Sequence, residues 1–143
     1  MTTNSDRTII GLDLGERRIG VARIHTLVKI AEPLNIIETA RQNVTQEIID
    51  VIDGYQADAI VIGLPRGLDG QETEQTKYCR EFARNISEQI TTPVYMIDEA
   101  GTSVEADVRI GHSTTISRDS MAAAILLEDF VNYKDQELLR VVV

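Results

Sequence analysis

The stretch Arg7–Ala22, RTIIGLDLGERRIGVA, sets the fold. Two β-forming apolar runs, residues 8–13 and 18–24, are joined by LGERR, a connection short enough for a hairpin. The first run is built for a core, yet it carries a carboxylate at Asp13, with Gly11 and Gly15 two residues away on either side. A charge at the end of a buried strand is costly unless something offsets it. A local explanation is available, because Asp between glycines often bonds its own backbone in a tight turn. Whether Asp13 is more than a turn residue depends on which other side chains the fold brings to it.

Beyond the hairpin, PLNIIET from Pro33 to Thr39 reads as a third strand. Asn43 is placed to cap a helix in which Val44, Ile48, Ile52 and Tyr55 recur at spacings of three and four, with Gly54 near its end. AIVIGLP from Ala59 is almost wholly apolar, as expected of a strand covered on both faces, and RGLDG follows as a loop. Residues 73–90 set Tyr78, Phe82, Ile86 and Ile90 four apart with Cys79 and Ala83 alongside, one apolar helical stripe. PVYMIDE, Pro93 to Glu99, is a further buried strand with carboxylates at its downstream end. GTSVEADVRI predicts a brief helix and GHSTTIS a polar loop. The last helix is predicted to start at Ser117 as N-cap and to be buried over most of its circumference. The fold class is therefore α/β: a mixed five-stranded sheet, three antiparallel strands then two parallel ones, with helices on its faces.

The chain has 143 residues, enough for one domain that buries roughly 68–70% of its unfolded surface, and no linker or repeat divides 1–143. A single cysteine excludes an internal disulfide, and no secretory signal or membrane-length apolar run is present, so a cytoplasmic protein without a membrane partner is expected. The net charge of −9 argues against a protein that coats nucleic acid non-specifically, while leaving room for a local basic site. The charge is uneven, however. Residues 1–30 hold five Lys or Arg against three Asp or Glu, so the positive surplus lies beside Asp13.

Ligands of such sheets gather beyond the carboxyl ends of the parallel strands. Asp13, Glu99 and Asp119 are predicted to converge there, the last from the first turn of the final helix. Three carboxylates brought together repel one another, and divalent cations would offset this. Hard oxygen donors favour Mg²⁺ or Mn²⁺ over Zn²⁺. Two such ions about 3.5–4 Å apart can activate water and stabilise the leaving oxygen of a phosphodiester. Arg17, Arg18, Arg66 and Arg118 are the candidate nucleic-acid contacts, and His112, seven residues before Asp119, is a candidate for proton transfer.

These motifs resemble the YqgF/RuvX family of RNase H-fold nucleases, also described as Holliday junction resolvase-like proteins or pre-16S rRNA nucleases. GLDLGERRIGVA is similar to the family's opening motif, VIGLPRGLDG to its Gly-Leu-Pro loop, IDEAGTS to the segment with its active-site glutamate, and DSMAAAILLEDF to its last motif. The resemblance implies an RNase H-like domain and a metal-dependent endonuclease with Asp13, Glu99 and Asp119 as catalytic ligands. It implies a substrate of structured RNA, at the 5′ end of the 16S ribosomal RNA precursor, or of branched DNA. A ribosomal precursor particle and a second copy of the chain, as a homodimer, are further expected partners. Two departures remove positive charge: Ala100 and Gly101 follow Glu99 where the family has arginine and an apolar residue, and GHSTTISRD carries only Arg118 where the family is rich in lysine and arginine. They favour, as an alternative, a catalytically weak or inactive module that keeps the fold and binds RNA, ribosomal particles or a protein partner. An Asp-Leu-Gly turn also occurs in actin-like phosphate-binding domains, but those need two lobes, and one domain of this length supplies one.

Overall fold

The computed structural model describes residues 6–40, 43–99 and 117–141. Strand β1 (Thr8–Leu14) lies at the centre of a mixed sheet of order β3-β2-β1-β5-β6. It pairs antiparallel with β2 (Arg18–His25) and parallel with β5 (Ala59–Pro65), which pairs parallel with β6 (Val94–Glu99). Strand alternation divides the apolar side chains between two faces. Ile10, Leu12, Ile60 and Ile62 pack under α1 (Val44–Tyr55) and α2 (Glu74–Gln89), whereas Ile9, Ala22, Val61 and Ile97 pack under α3 (Arg118–Val131). Both faces of β1 and β5 are thus covered, which is why their sequences are near-continuous apolar runs.

The expected third strand is present as two pieces, β3 (Glu32–Pro33) and β4 (Ile37–Glu38), both paired with β2. The interruption has a specific cause. Buried Ser120, in the first turn of α3, donates its hydroxyl to the Leu34 carbonyl at 2.7 Å and accepts from the Val21 amide at 3.4 Å. Those are backbone groups a continuous ladder would have used, so the start of α3 is fastened to the sheet in place of strand pairing.

The helices follow the sequence periodicity with two adjustments. Ile48 and Ile52 are buried in α1, but Tyr55 is partly exposed under the Arg23 guanidinium, 4.8 Å from the ring centroid. Asn43 occupies the N-cap position of α1 without a side-chain cap bond, and the helix runs past Gly54, which stays helical, to Gln56, which takes the left-handed conformation, φ 52°. Thr73 caps α2 reciprocally with Thr76, and Cys79, Ala83 and Ile86 form its buried stripe, so Cys79 is a core residue. Ser117 caps α3, accepting from the Asp119 and Ser120 amides. Ala122, Ala123 and Ala124 are all buried, small enough to let α3 close on the strands. A segment after α3 runs along the outer edge of β6, where Val141 donates its amide to the Val94 carbonyl at 2.8 Å. Among the described residues no helix is long and apolar enough to cross a membrane. The brief helix and polar loop expected over 101–116 lie outside the described residues.

Candidate active site

Asp13 is on the α3 face of the sheet, near the carboxyl end of β1. Its neighbours on that face are two glycines. Gly20 is its register partner on β2, and a Cβ there would fall 2.0 Å from the Asp119 carbonyl oxygen. Gly63 follows Ile62, the residue level with Leu12, and a Cβ there would fall 2.8 Å from Glu99 Cγ and 2.9 Å from its carboxyl carbon. The bare backbone at Gly20 lets the start of α3 settle on β2, and at Gly63 it lets the Glu99 side chain lie back across β5. Glu99 ends β6, level with Pro65. These close approaches carry two carboxylates from other elements towards Asp13.

The electrostatics record the convergence. Burial raises the Asp13 carboxyl to about 8; a hydrogen bond with Glu99 and the Glu99 charge add to the rise, followed by the Asp119 charge, while Arg118 opposes it. Burial and the neighbouring negative charge thus disfavour an ionised Asp13, as they do for any carboxyl placed beside others. Asp119 is engaged differently, by an ion pair with Arg18 at 3.2 Å. Among the described residues no three His, Cys, Asp or Glu side chains stand grouped as ready metal ligands. Asp13 and Glu99 are thus near one another, while Asp119 is held by Arg18. Three hard carboxylate donors drawn from three elements have the donor chemistry of a divalent-cation site.

The four arginines separate. Arg18 reaches Asp119, Arg118 lies in the electrostatic reach of Asp13, and exposed Arg17 has no carboxylate partner among the described residues. Arg17 and Arg18 line a cleft of about 300 Å³ with Gly15, Glu16 and Asp119. Arg66 goes elsewhere. It pairs with Asp98 at 3.2 Å and Glu72 at 3.0 Å, and Asp98 alternates with Glu99 along β6 and so faces away from the carboxylate group. His112 and Ala100 lie outside the described residues. Sequence reading missed Gly20, Gly63 and Ser120, the residues that position the carboxylates. The available signal was a glycine inside each of two otherwise apolar strands, which marks close backbone approach.

A sheet in which an antiparallel hairpin and a broken third strand lead into two parallel strands, with helices on both faces, defines the RNase H-like class. Solved structures of this class resemble it. The T. thermophilus RuvC in complex with Holliday junction substrate superposes with a TM-score of 0.56 at 13% identity, covering 88% of this chain and 94% of that one. The Fowlpox virus resolvase with its Holliday junction DNA gives 0.56 at 12% identity, over 87% and 97%. Within this class the chain belongs to the RuvX family, whose model, described as Holliday junction resolvase, matches residues 7–133. Among its relatives are proteins named "Putative pre-16S rRNA nuclease". The one from Paraburkholderia phymatum is 33% identical over 130 residues, 89% of this chain and 86% of that protein. The one from Orientia tsutsugamushi is 35% identical over 128 residues, 85% and 82%.

Proposed function

We propose that this protein is a Mg²⁺- or Mn²⁺-dependent endonuclease that hydrolyses phosphodiester bonds of structured nucleic acid, with Asp13, Glu99 and Asp119 holding the metal. The observation that carries this reading is geometric: Glu99 lies back across bare Gly63, and the start of α3, which bears Asp119, is seated on Gly20 directly across from Asp13. An arrangement that gathers carboxylates at a cost in stability is kept where function needs it. A divalent ion held by these carboxylates would supply a nucleophile from water at neutral pH and stabilise the charge on the leaving oxygen.

The chain's own residues have separable tasks. Asp13 and Glu99 would hold the ion with their carboxylate oxygens, together with Asp119. Arg18 releases Asp119 and turns to a backbone phosphate, with Arg17 and Arg118 beside it. Such contacts hold the strand in register and carry no sequence information. The names of the curated relatives favour the 16S ribosomal RNA precursor as substrate; a 5′-end cut, in the cytoplasm and on a precursor particle, is our extension of that reading. The description of the family model favours branched DNA.

One observation favours a second reading, a catalytically weak or inactive module that binds RNA or a protein. Arg66, expected at the substrate, is held by Asp98 and Glu72, which leaves fewer cations on the carboxylate face. A cleavage assay in Mg²⁺ on precursor RNA and on a four-way junction separates the two. The nuclease reading expects cleavage of one substrate, lowered at least about a hundredfold by Asp13→Asn, a loss of roughly 2.7 kcal/mol in transition-state stabilisation. Binding without cleavage of either substrate by the unaltered protein would overturn it.

A further inference from the structure

On the α2 side of the sheet edge, beyond β6, a cavity of about 650 Å³ opens between α2, β6 and the segment after α3. Its walls carry Arg80, Arg84 and Arg140, with Arg66 at the end of β5, and Leu64 and Met96 give it an apolar surface. Tyr133, 43% exposed, lines the same space. In a chain of net charge −9, four guanidinium groups around one cavity are a local reversal of sign.

The carboxylates present do not cancel it. Glu72 holds Arg80 and Arg66, Asp98 takes a second contact from Arg66, and Glu137 reaches Arg140 only at 4.0 Å. Arg84 has no carboxylate partner among the described residues. Arg84 is therefore free to take an anion, Arg140 is held only by one long, exposed contact to Glu137, and Arg80 is adjacent. An apolar wall and a tyrosine face add what a planar base needs. A basic groove with an aromatic platform is the arrangement that holds single-stranded nucleic acid, phosphate on the cations and base on the ring.

We propose that this cavity is a second nucleic-acid site, which takes one nucleotide of a single strand with its phosphate on Arg84 and Arg140 and its base against Tyr133. Strand alternation puts Asp98 on the cavity side and Glu99 on the carboxylate side, so the two sites lie on opposite faces of one sheet edge. The site deepens the nuclease reading by giving an unpaired strand of the substrate a place to rest, and it shares with that reading only the choice of nucleic acid as ligand.

The test is the affinity of the full chain for a fluorescent single-stranded RNA in EDTA, where the carboxylate site contributes no metal-mediated binding. The double variant Arg84→Ala, Arg140→Ala is expected to weaken binding at least about tenfold and to lower the slope of log K against log salt by about 0.7 for each phosphate that is no longer neutralised. Tyr133→Ala is expected to weaken binding about 5- to 150-fold, the range for loss of one stacked base, and Tyr133→Phe to restore it. Thermal melts on each variant confirm the fold, which these surface positions should leave intact. Unchanged affinity in both the arginine and the tyrosine variants would overturn the proposal. In a competition arm, a free nucleoside monophosphate that displaces the RNA at equal concentration would overturn the strand as ligand and assign the free nucleotide. Asp13→Asn, run alongside, keeps the two readings apart. Loss of cleavage by Asp13→Asn with unchanged RNA binding by the arginine and tyrosine variants retains the nuclease and sinks the second site; the reverse pattern does the opposite.

Discussion

Gly20 lies directly across from Asp13 in the antiparallel register of β1 and β2, and the backbone of Asp119 rests on it. The position tolerates no side chain, because a Cβ would meet backbone 2.0 Å away on a helix anchored by Ser120. Gly20→Ala is therefore expected to destabilise the protein by at least ~1–3 kcal/mol, the usual cost of overpacking. Gly54 is the control. It is exposed within α1 with nothing within 4 Å of a Cβ, so Gly54→Ala is expected to stabilise by ~0.5–1 kcal/mol. Urea midpoints of the two variants against the unaltered chain check both signs.

The Asp13 carboxyl sets a pH dependence in the metal-free protein. Its pKa in the folded chain is about 8, far above its ordinary value, so the native state binds more protons than the unfolded state between those values. Stability then falls as pH rises through that window, the reverse of an ion-paired carboxylate. Asp13→Asn should remove much of this slope and raise stability at pH 8, the difference vanishing near pH 4. Urea titrations from pH 4 to 8 in EDTA read it directly.

The pair of Arg18 with Asp119 is 61% and 28% exposed at its two side chains, so it adds little to stability. Arg18→Ala is expected to change unfolding free energy by less than about 1 kcal/mol. It should weaken nucleic-acid binding and lower the salt slope by about 0.7–0.9, the increment for one neutralised phosphate. With a competing cation gone from Asp119, Mn²⁺ should bind more tightly. Isothermal titration on the variant decides the last point, since a purely structural arginine would leave Mn²⁺ affinity unchanged.

Much of this architecture was legible in local pattern. The hairpin at Asp13, the buried strands at Ala59 and Val94, and the α3 cap at Ser117 all follow from period and capping chemistry. The third strand was legible too, but not its interruption, which comes with Ser120, a residue 86 positions after the Leu34 carbonyl it binds. The partners of Arg66 were hidden for the same reason. Its pairing with Asp98 depends on β6 lying beside β5 and on which face Asp98 takes, neither of which local pattern shows. The carboxylate convergence could be expected from topology, but the glycines that permit it take meaning only when their register partners are known.

A divalent ion that binds the folded chain should also raise its stability by RT ln(1 + [L]/Kd), about 2.7 kcal/mol at a hundredfold excess over Kd. Thermal melts with and without Mn²⁺ are expected to show this rise in the unaltered protein and to lose most of it in Asp13→Asn.

Anomalous scattering of Mn²⁺, in crystals of the protein grown in millimolar Mn²⁺, observes the proposed metal site itself. A metal held by the three carboxylates should give at least one strong peak in contact with oxygens of Asp13, Glu99 and Asp119, with the Asp13–Glu99 hydrogen bond broken and Arg18 turned from Asp119. Well-ordered carboxylates with the Asp13–Glu99 hydrogen bond intact, and no peak among them at saturating Mn²⁺, would refute it.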